Sequence, residues 1–218
     1  MKAENDPQYL LFEHEGYACY KLPVNNQTNA RALHLRGLHK ERLHNAGYDG
    51  YSEEFDEIMH RSGIYLYVVW EGIIATTMRI NDRISSELFP FEMGYKPDGT
   101  RHVYKNNTPA IDMNTYCLDK RCYRKATPLL FAMAAKHIQE NGFQRAFGLA
   151  DTQNKAIQKL YSRIGLVHSS EYREPVAFET FVYRDGGKPV EWNILEWPMP
   201  EIKRFSDLFD ERKLAYLN

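Results

Sequence analysis

Cysteine is scarce: Cys19, Cys117 and Cys122 are the whole supply, an odd count with no CxxC pair. This argues against a disulfide framework and fits reduced thiols in a cytoplasmic protein. Neither sign of charge is in surplus, since 28 Lys and Arg face 29 Asp and Glu for a formal net charge of -1. Wholesale binding of nucleic acid or of a membrane surface needs a positive field that this balance does not supply. No run approaches the roughly 18 apolar residues of a membrane helix. The acidic opening, Met1 to Asp6, lacks the apolar segment of a signal peptide. Internal repeats, low-complexity tracts and Ser/Gly linkers are missing too, so one domain over residues 1–218 is expected.

Aromatic residues are plentiful at 13%, with 15 Tyr, which points to a well-filled core and room for an apolar pocket. His34, His39 and His44 recur every five residues, so on a helix they face different directions and read as surface or packing residues rather than zinc ligands. Tyr17–Leu22 reads as a strand. A helix from about Asn29 to Asn45 follows, and a short Ser-capped helix opens at Ser52. Ile64–Trp70 and Ile73–Ile80, separated by Glu71-Gly72, form a hairpin. Residues 81–109 make a long, Pro- and Gly-punctuated connection. Its aromatics suggest a substrate cover, and Ser85–Phe89 suggests one helical turn. Ala110–Leu118 reads as a strand, with a helix from Ala126 to about Asn141. Gln144–Ala150 is a strand, and Gln153–Ile164 a helix closed by Gly165. Phe178–Tyr183 and Val190–Trp197 form a second hairpin, and a last helix runs from Pro200 to Leu217. The order is α/β, a strand meander before two βα units.

Chemistry concentrates between Asp112 and Leu166. A strand that enters a helix through a tight turn leaves backbone N–H groups pointing outward at the positive end of the helix dipole, a site suited to a pyrophosphate. Here the turn Arg121-Cys122-Tyr123-Arg124-Lys125-Ala126-Thr127 adds three cationic side chains. The alternative is a solvated charged turn. The dinucleotide fingerprint and the Walker lysine loop are both missing, so NAD or ATP held in those ways is not expected.

The turn, with Leu129-Leu130 behind it, resembles the pyrophosphate loop Arg/Gln-x-x-Gly-x-Gly/Ala of the GNAT superfamily of CoA-dependent N-acyltransferases. Asn154 to Leu166 resembles that family's Asn-x-x-Ala-x-x-Leu-Tyr-x-x-x-Gly-Phe element closely. Arg124 stands where the family has its middle Gly. Either its side chain grips phosphate or the loop has lost the nucleotide, because Gly alone gives close backbone approach and free φ. Leu35-Arg36, Glu41, the Glu53-Glu54-Phe55-Asp56 run and Gly72 to Ile80 resemble the acyl-homoserine-lactone and N-acyl amino acid synthase branch. That branch carries Glu-x-Ser-Arg where this chain has Asp112-Met113-Asn114-Thr115.

The resemblance implies a GNAT-like α+β fold: a mixed, largely antiparallel sheet with helices on both faces. It implies direct acyl transfer from acyl-CoA, or from acyl carrier protein, to a primary amine or amino acid, with no metal. The donor would lie where two adjacent strands splay, against a bulge near Tyr116 and Leu118, with Arg121, Arg124, Lys125, Ala126 and Thr127 at the diphosphate. Asn154 would touch the pantetheine arm, and a helix N-cap role is compatible with that. The acceptor would enter between the first helices, the 81–109 connection and the late hairpin.

Tyr161 occupies the family's position for the general acid beside the thioester sulfur, against the plainer reading of a packing aromatic. Asp112 would take the amine proton directly or through water, or is a structural carboxylate. Arg79 would meet a substrate carboxylate, or is a solvated strand-end residue. Cys117 and Cys122 read as non-catalytic, since direct transfer needs no acyl-enzyme. A GNAT-like module that binds acyl-CoA without turnover is the second reading, and a scaffold with no small-molecule site the third.

Overall fold

The computed structural model describes residues 7–23, 29–82, 88–119 and 123–209, without the side chains of residues 123–125. A 3-10 turn at Pro7–Tyr9 leads into β1 (Leu10–His14) and β2 (Tyr17–Leu22). Then come α1 (Ala30–Asn45), β3 (Tyr48–Asp49), α2 (Glu53–Ser62), β4 (Gly63–Trp70) and β5 (Ile73–Asp82). The middle of the chain forms α3 (Pro90–Met93), β6 (Ala110–Leu118), α4 (Tyr123–Glu140) and β7 (Arg145–Asp151). The last elements are α5 (Lys155–Ile164), β8 (Val167–His168), β9 (Val176–Tyr183), β10 (Pro189–Glu196) and α6 (Met199–Leu208).

All ten strands join one sheet in the order β1-β2-β4-β5-β6-β7-β10-β9-β3, with β8 beside β10. Every pairing among the described residues is antiparallel except β6 with β7. The expected mixed, largely antiparallel sheet is therefore present.

Side-chain alternation explains the layers. On β4, Tyr65, Tyr67 and Val69 pack with Ala32 and Leu35 of α1. Between them Leu66 and Val68 point the other way, into the core shared with α4 and α6. Two apolar faces on one strand require cover on both sides, and the helices supply it. The helix starts follow from their caps: Asn29 accepts from the N–H groups of Arg31 and Ala32, and Ser52 from Phe55. In the β4–β5 hairpin, Glu71 and Gly72 both take positive φ, the twist that a two-residue turn needs.

Several elements depart from the sequence reading. α4 begins at Tyr123, three residues before the expected Ala126, so its unpaired first-turn N–H groups lie earlier than anticipated. β1, β3 and β8 went unforeseen, two of them only two residues long and held by pairing rather than by their own pattern. The helical turn expected at Ser85–Phe89 falls partly outside the described residues, and the turn present is α3. There Glu92 accepts from the backbone N–H groups of Phe89 and Tyr104, both at 2.8 Å. Phe89, Phe91 and Tyr104 pack into a buried cluster with Phe147 and Tyr172, so these aromatics build core instead of covering a substrate. The last helix ends at Leu208, and its expected extension from residue 210 to Leu217 lies outside the described residues.

Candidate active site at the splay of two strands

β6 and β7 pair from Ala110↔Arg145 only as far as Met113↔Gly148, yet both strands continue. Beyond that point they diverge and leave an unzipped edge. On the other edge of β6, Arg79 faces Asn114 while Thr77 faces Cys117, so Thr115 and Tyr116 together oppose Met78. That is a β-bulge, and Thr115 pays for it with φ of 54°, a region a β-branched residue avoids. The bulge expected at Tyr116–Leu118 thus centres one residue earlier. Strand divergence and bulge together free backbone N–H and C=O groups for a ligand.

A cavity of ≈ 950 Å³ opens at this splay. Its walls come from α1, α2 and β6, then from Leu149 and Asp151 on β7, the start of α5, and the rings of Phe178, Phe181 and Trp192. Tyr116, Leu118, Asn154 and Tyr161, four of the residues singled out from sequence, line it together. Asn154 caps α5 by accepting from the Ile157 N–H at 3.1 Å, so the cap role is real and the residue still faces the cavity.

Tyr161 is 7% exposed, and its ring lies 6.2 Å from those of Tyr116 and Phe131. Burial first, then the neighbouring Tyr116 and Asp112, push its phenol well above the ordinary value, which keeps the proton on oxygen. A protonated hydroxyl at the cavity wall suits a proton donor.

The proposed contacts at the turn are less uniform. Arg121 lies outside the described residues, as do the side chains of Arg124 and Lys125. Ala126 is fully buried, and Thr127 is 3% exposed with its hydroxyl 2.9 Å from Tyr116 Oη. Thr127 therefore braces a cavity wall.

Asp112 is fully buried and does not line the cavity. Its Oδ1 accepts from Asn114 Nδ2 at 3.1 Å, while Oδ2 is buried with no partner among the described residues. Burial, opposed by Asn114 and Arg79, pushes its carboxyl up to about 7. Direct contact with an acceptor is not available to it; Asn114, which does line the cavity, is the group it touches.

Arg79 corrects the sequence reading most plainly. It lies inside β5, is 1% exposed, and does not line the cavity. Its Nη1 donates to Asp56 Oδ1 at 3.0 Å and its Nε to Asn114 Oδ1 at 2.8 Å. Asp56 also accepts from Arg36 Nε and, at 3.2 Å, from Tyr51 Oη. Burial alone would raise the Asp56 carboxyl, but Arg79 and Arg36 outweigh it and hold it below the usual range. Arg79 thus fixes Asn114, and through it Asp112, instead of meeting a substrate carboxylate.

Asp151, Tyr48, Tyr183 and Trp192 were not singled out from sequence. Asp151 ends β7, three residues before the Asn154 cap, and its side-chain partners come from remote strands. Tyr48 and Tyr183 are direct cross-strand partners on β3 and β9, and both hydroxyls donate to the Asp151 carboxylate. Strand β3 can approach only because Gly50 follows it: φ is +68°, and a Cβ there would sit 1.7 Å from the Thr180 carbonyl oxygen.

No family model and no curated protein sequence matches the chain. Solved structures do. FeeM, an N-acyl amino acid synthase from uncultured soil microbes, superposes with a TM-score of 0.61 at 12% identity, over 88% of this chain and 96% of its own. BjaI, a CoA-dependent acyl-homoserine lactone synthase solved with SAM and isopentyl-CoA, gives 0.56 at 13% identity over 88% and 89%. A GNAT family acetyltransferase from Elizabethkingia anophelis with acetyl-CoA bound gives 0.50 at 10% identity over 85% and 99%. The chain has the GNAT fold. The sequence carried no sign of the aromatic wall around Asp151.

Proposed function

We propose that the chain is an N-acyltransferase that moves an acyl group from acyl-CoA directly to a primary amine. The observation that carries this reading is the convergence of the β6–β7 splay, the Thr115 bulge, Asn154 and Tyr161 on one cavity. The unzipped edge of β6 offers backbone partners to the amides of a pantetheine arm. Asn154 adds a side-chain amide beside it, and the turn Arg121 to Lys125 supplies charge for the diphosphate.

Transfer balances as follows. The neutral amine forms the N–C bond, the C–S bond breaks, and Tyr161 gives its hydroxyl proton to the departing thiolate. The amide nitrogen then sheds one proton, which restores Tyr161. Asp112, whose carboxyl burial pushes up to about 7, reaches this step through Asn114, which it holds by a hydrogen bond.

A narrower reading rests on cavity size and on the shared fold. At ≈ 950 Å³ the cavity has room for a pantetheine arm together with an acyl chain and an acceptor, and the N-acyl amino acid and acyl-homoserine-lactone synthases that share this fold point to a longer chain. The donor is then a longer acyl-CoA or an acyl carrier protein.

The test is thiol release from acetyl-CoA, longer acyl-CoAs and acyl carrier protein thioesters against a panel of amines and amino acids. Amine-dependent release supports the reading, and the acyl chain that releases fastest separates the narrower one from ordinary acetyl transfer. Tight CoA binding without release across the panel favours a non-catalytic binding module.

A further inference from the structure

Asp56 and Asp151, two of the buried carboxylates, are treated differently by this chain. Asp56 is met by two guanidinium groups. Asp151, 2% exposed, forms no ion pair among the described residues, and it lines the cavity. Its oxygens accept from Tyr48 Oη at 2.6 Å, from Tyr183 Oη and from the Gln153 N–H at 2.7 Å. Among the described residues its side-chain oxygens meet three donors, the arrangement that an acceptor-only carboxylate requires. Hydrogen bonds alone rarely offset a buried charge in full, and the cavity gives a ligand cation access to this one.

The surroundings fit a cation. Tyr48, Phe181 and Trp192 stand within 5.4–5.9 Å of one another by ring centroid, and all three line the cavity. Aromatic faces attract ammonium groups, and their apolar area takes the hydrocarbon behind one. Trp192 is the direct cross-strand partner of Asp151, and its buried indole N–H has no partner among the described residues, which leaves a donor for a ligand oxygen.

We propose that Asp151 is the docking group for the acceptor, which arrives as a hydrophobic primary ammonium ion seated on the carboxylate against the ring cluster of Tyr48, Phe181 and Trp192. The assignment rests on the acyl-transfer reading for the word acceptor, but the recognition stands on its own geometry. Docking transfers no proton. Before attack the ammonium releases one proton to cavity water, so the net reaction turns ammonium and thioester into amide, thiol and one proton.

The experiment compares two isosteric probes by calorimetry on the intact chain saturated with CoA: 2-phenylethylamine, charged at neutral pH, and the neutral 2-phenylethanol. A charge-assisted contact predicts at least about tenfold tighter binding of the amine. Asp151→Asn, if it folds, should erase that preference while CoA affinity stays within about twofold. In the transfer assay the same variant should raise KM for alkylamines and spare hydrazides, which are neutral at pH 7. Equal affinity of the two probes for the wild type overturns the proposal, as does an equal loss for amines and hydrazides in Asp151→Asn. Ammonium preference without thiol release leaves this docking site standing and removes the acyltransferase reading. Thiol release without ammonium preference does the reverse.

Discussion

Asp112 holds its proton in the native state to about pH 7, whereas an unperturbed aspartate titrates near 3.8. Between those values the folded chain binds a proton that the unfolded chain has lost. The stabilisation this gives is complete in acid below the unfolded pKa and disappears as pH rises through about 7. Asp112→Asn keeps a neutral group in place, so thermal melts should show the wild type losing more Tm than the variant between about pH 5 and 8. Equal losses would mean that Asp112 is not the buried proton carrier. At the same scale, Tyr161→Phe removes the proposed acid but not the ring. Thiol release should fall by about 10²–10⁴-fold with donor affinity unchanged. A matching fall in donor affinity would instead make Tyr161 a packing residue. Asp56 offers a structural contrast: Asp56→Ala strands Arg79 in the interior and should cost about 3–5 kcal/mol, read from denaturant unfolding.

Secondary elements carry the next layer of the account. Gly50 lets β3 reach β9, and Gly50→Ala would push a Cβ into the Thr180 carbonyl. The expected result is a loss of about 1–3 kcal/mol together with weakened amine binding, because Tyr48 leaves Asp151. Amine affinity preserved at reduced stability would show that β3 does not set the site. The elements that sequence revealed are those with strong local signals. The β4–β5 hairpin announced itself by β-branched runs around Glu71-Gly72, and α5 by the Asn154 cap and by Gly165, whose φ is +93°. β6 was read with its bounds intact. The bulge at Thr115 was not legible, since a threonine at positive φ contradicts its own propensity and is imposed by neighbouring strands. β3 was hidden for a related reason: two residues have no periodicity to display.

At the scale of the whole molecule the site is a product of long-range pairing. Residues 110–118 and 145–151 lie side by side only because α4 crosses between them, and their divergence past Met113 makes the cavity. The Asn154 to Tyr161 motif pointed to one wall of this opening because it is contiguous in sequence. The aromatic wall and Asp151 draw on β3, β7, β9 and β10, and no single stretch contains them. Arg79 misled for the same reason, since its partner Asp56 sits 23 residues away on another element. The near-neutral chain has no broad field to hold a polyanion, so the proposed diphosphate contact has to be a local one. Arg121→Ala and Arg124→Ala should each weaken CoA binding by about 1.5–3 kcal/mol, more so at low salt. Unchanged affinity in both variants and in the double variant would remove this turn from the site. The most direct test is a crystal structure with CoA bound. The account predicts the pantetheine arm in the gap that opens past Met113 and Gly148, clear of the Asp151 carboxylate, with its sulfur beside Tyr161. Coenzyme seated elsewhere, with that gap closed by the chain's own side chains, would contradict it.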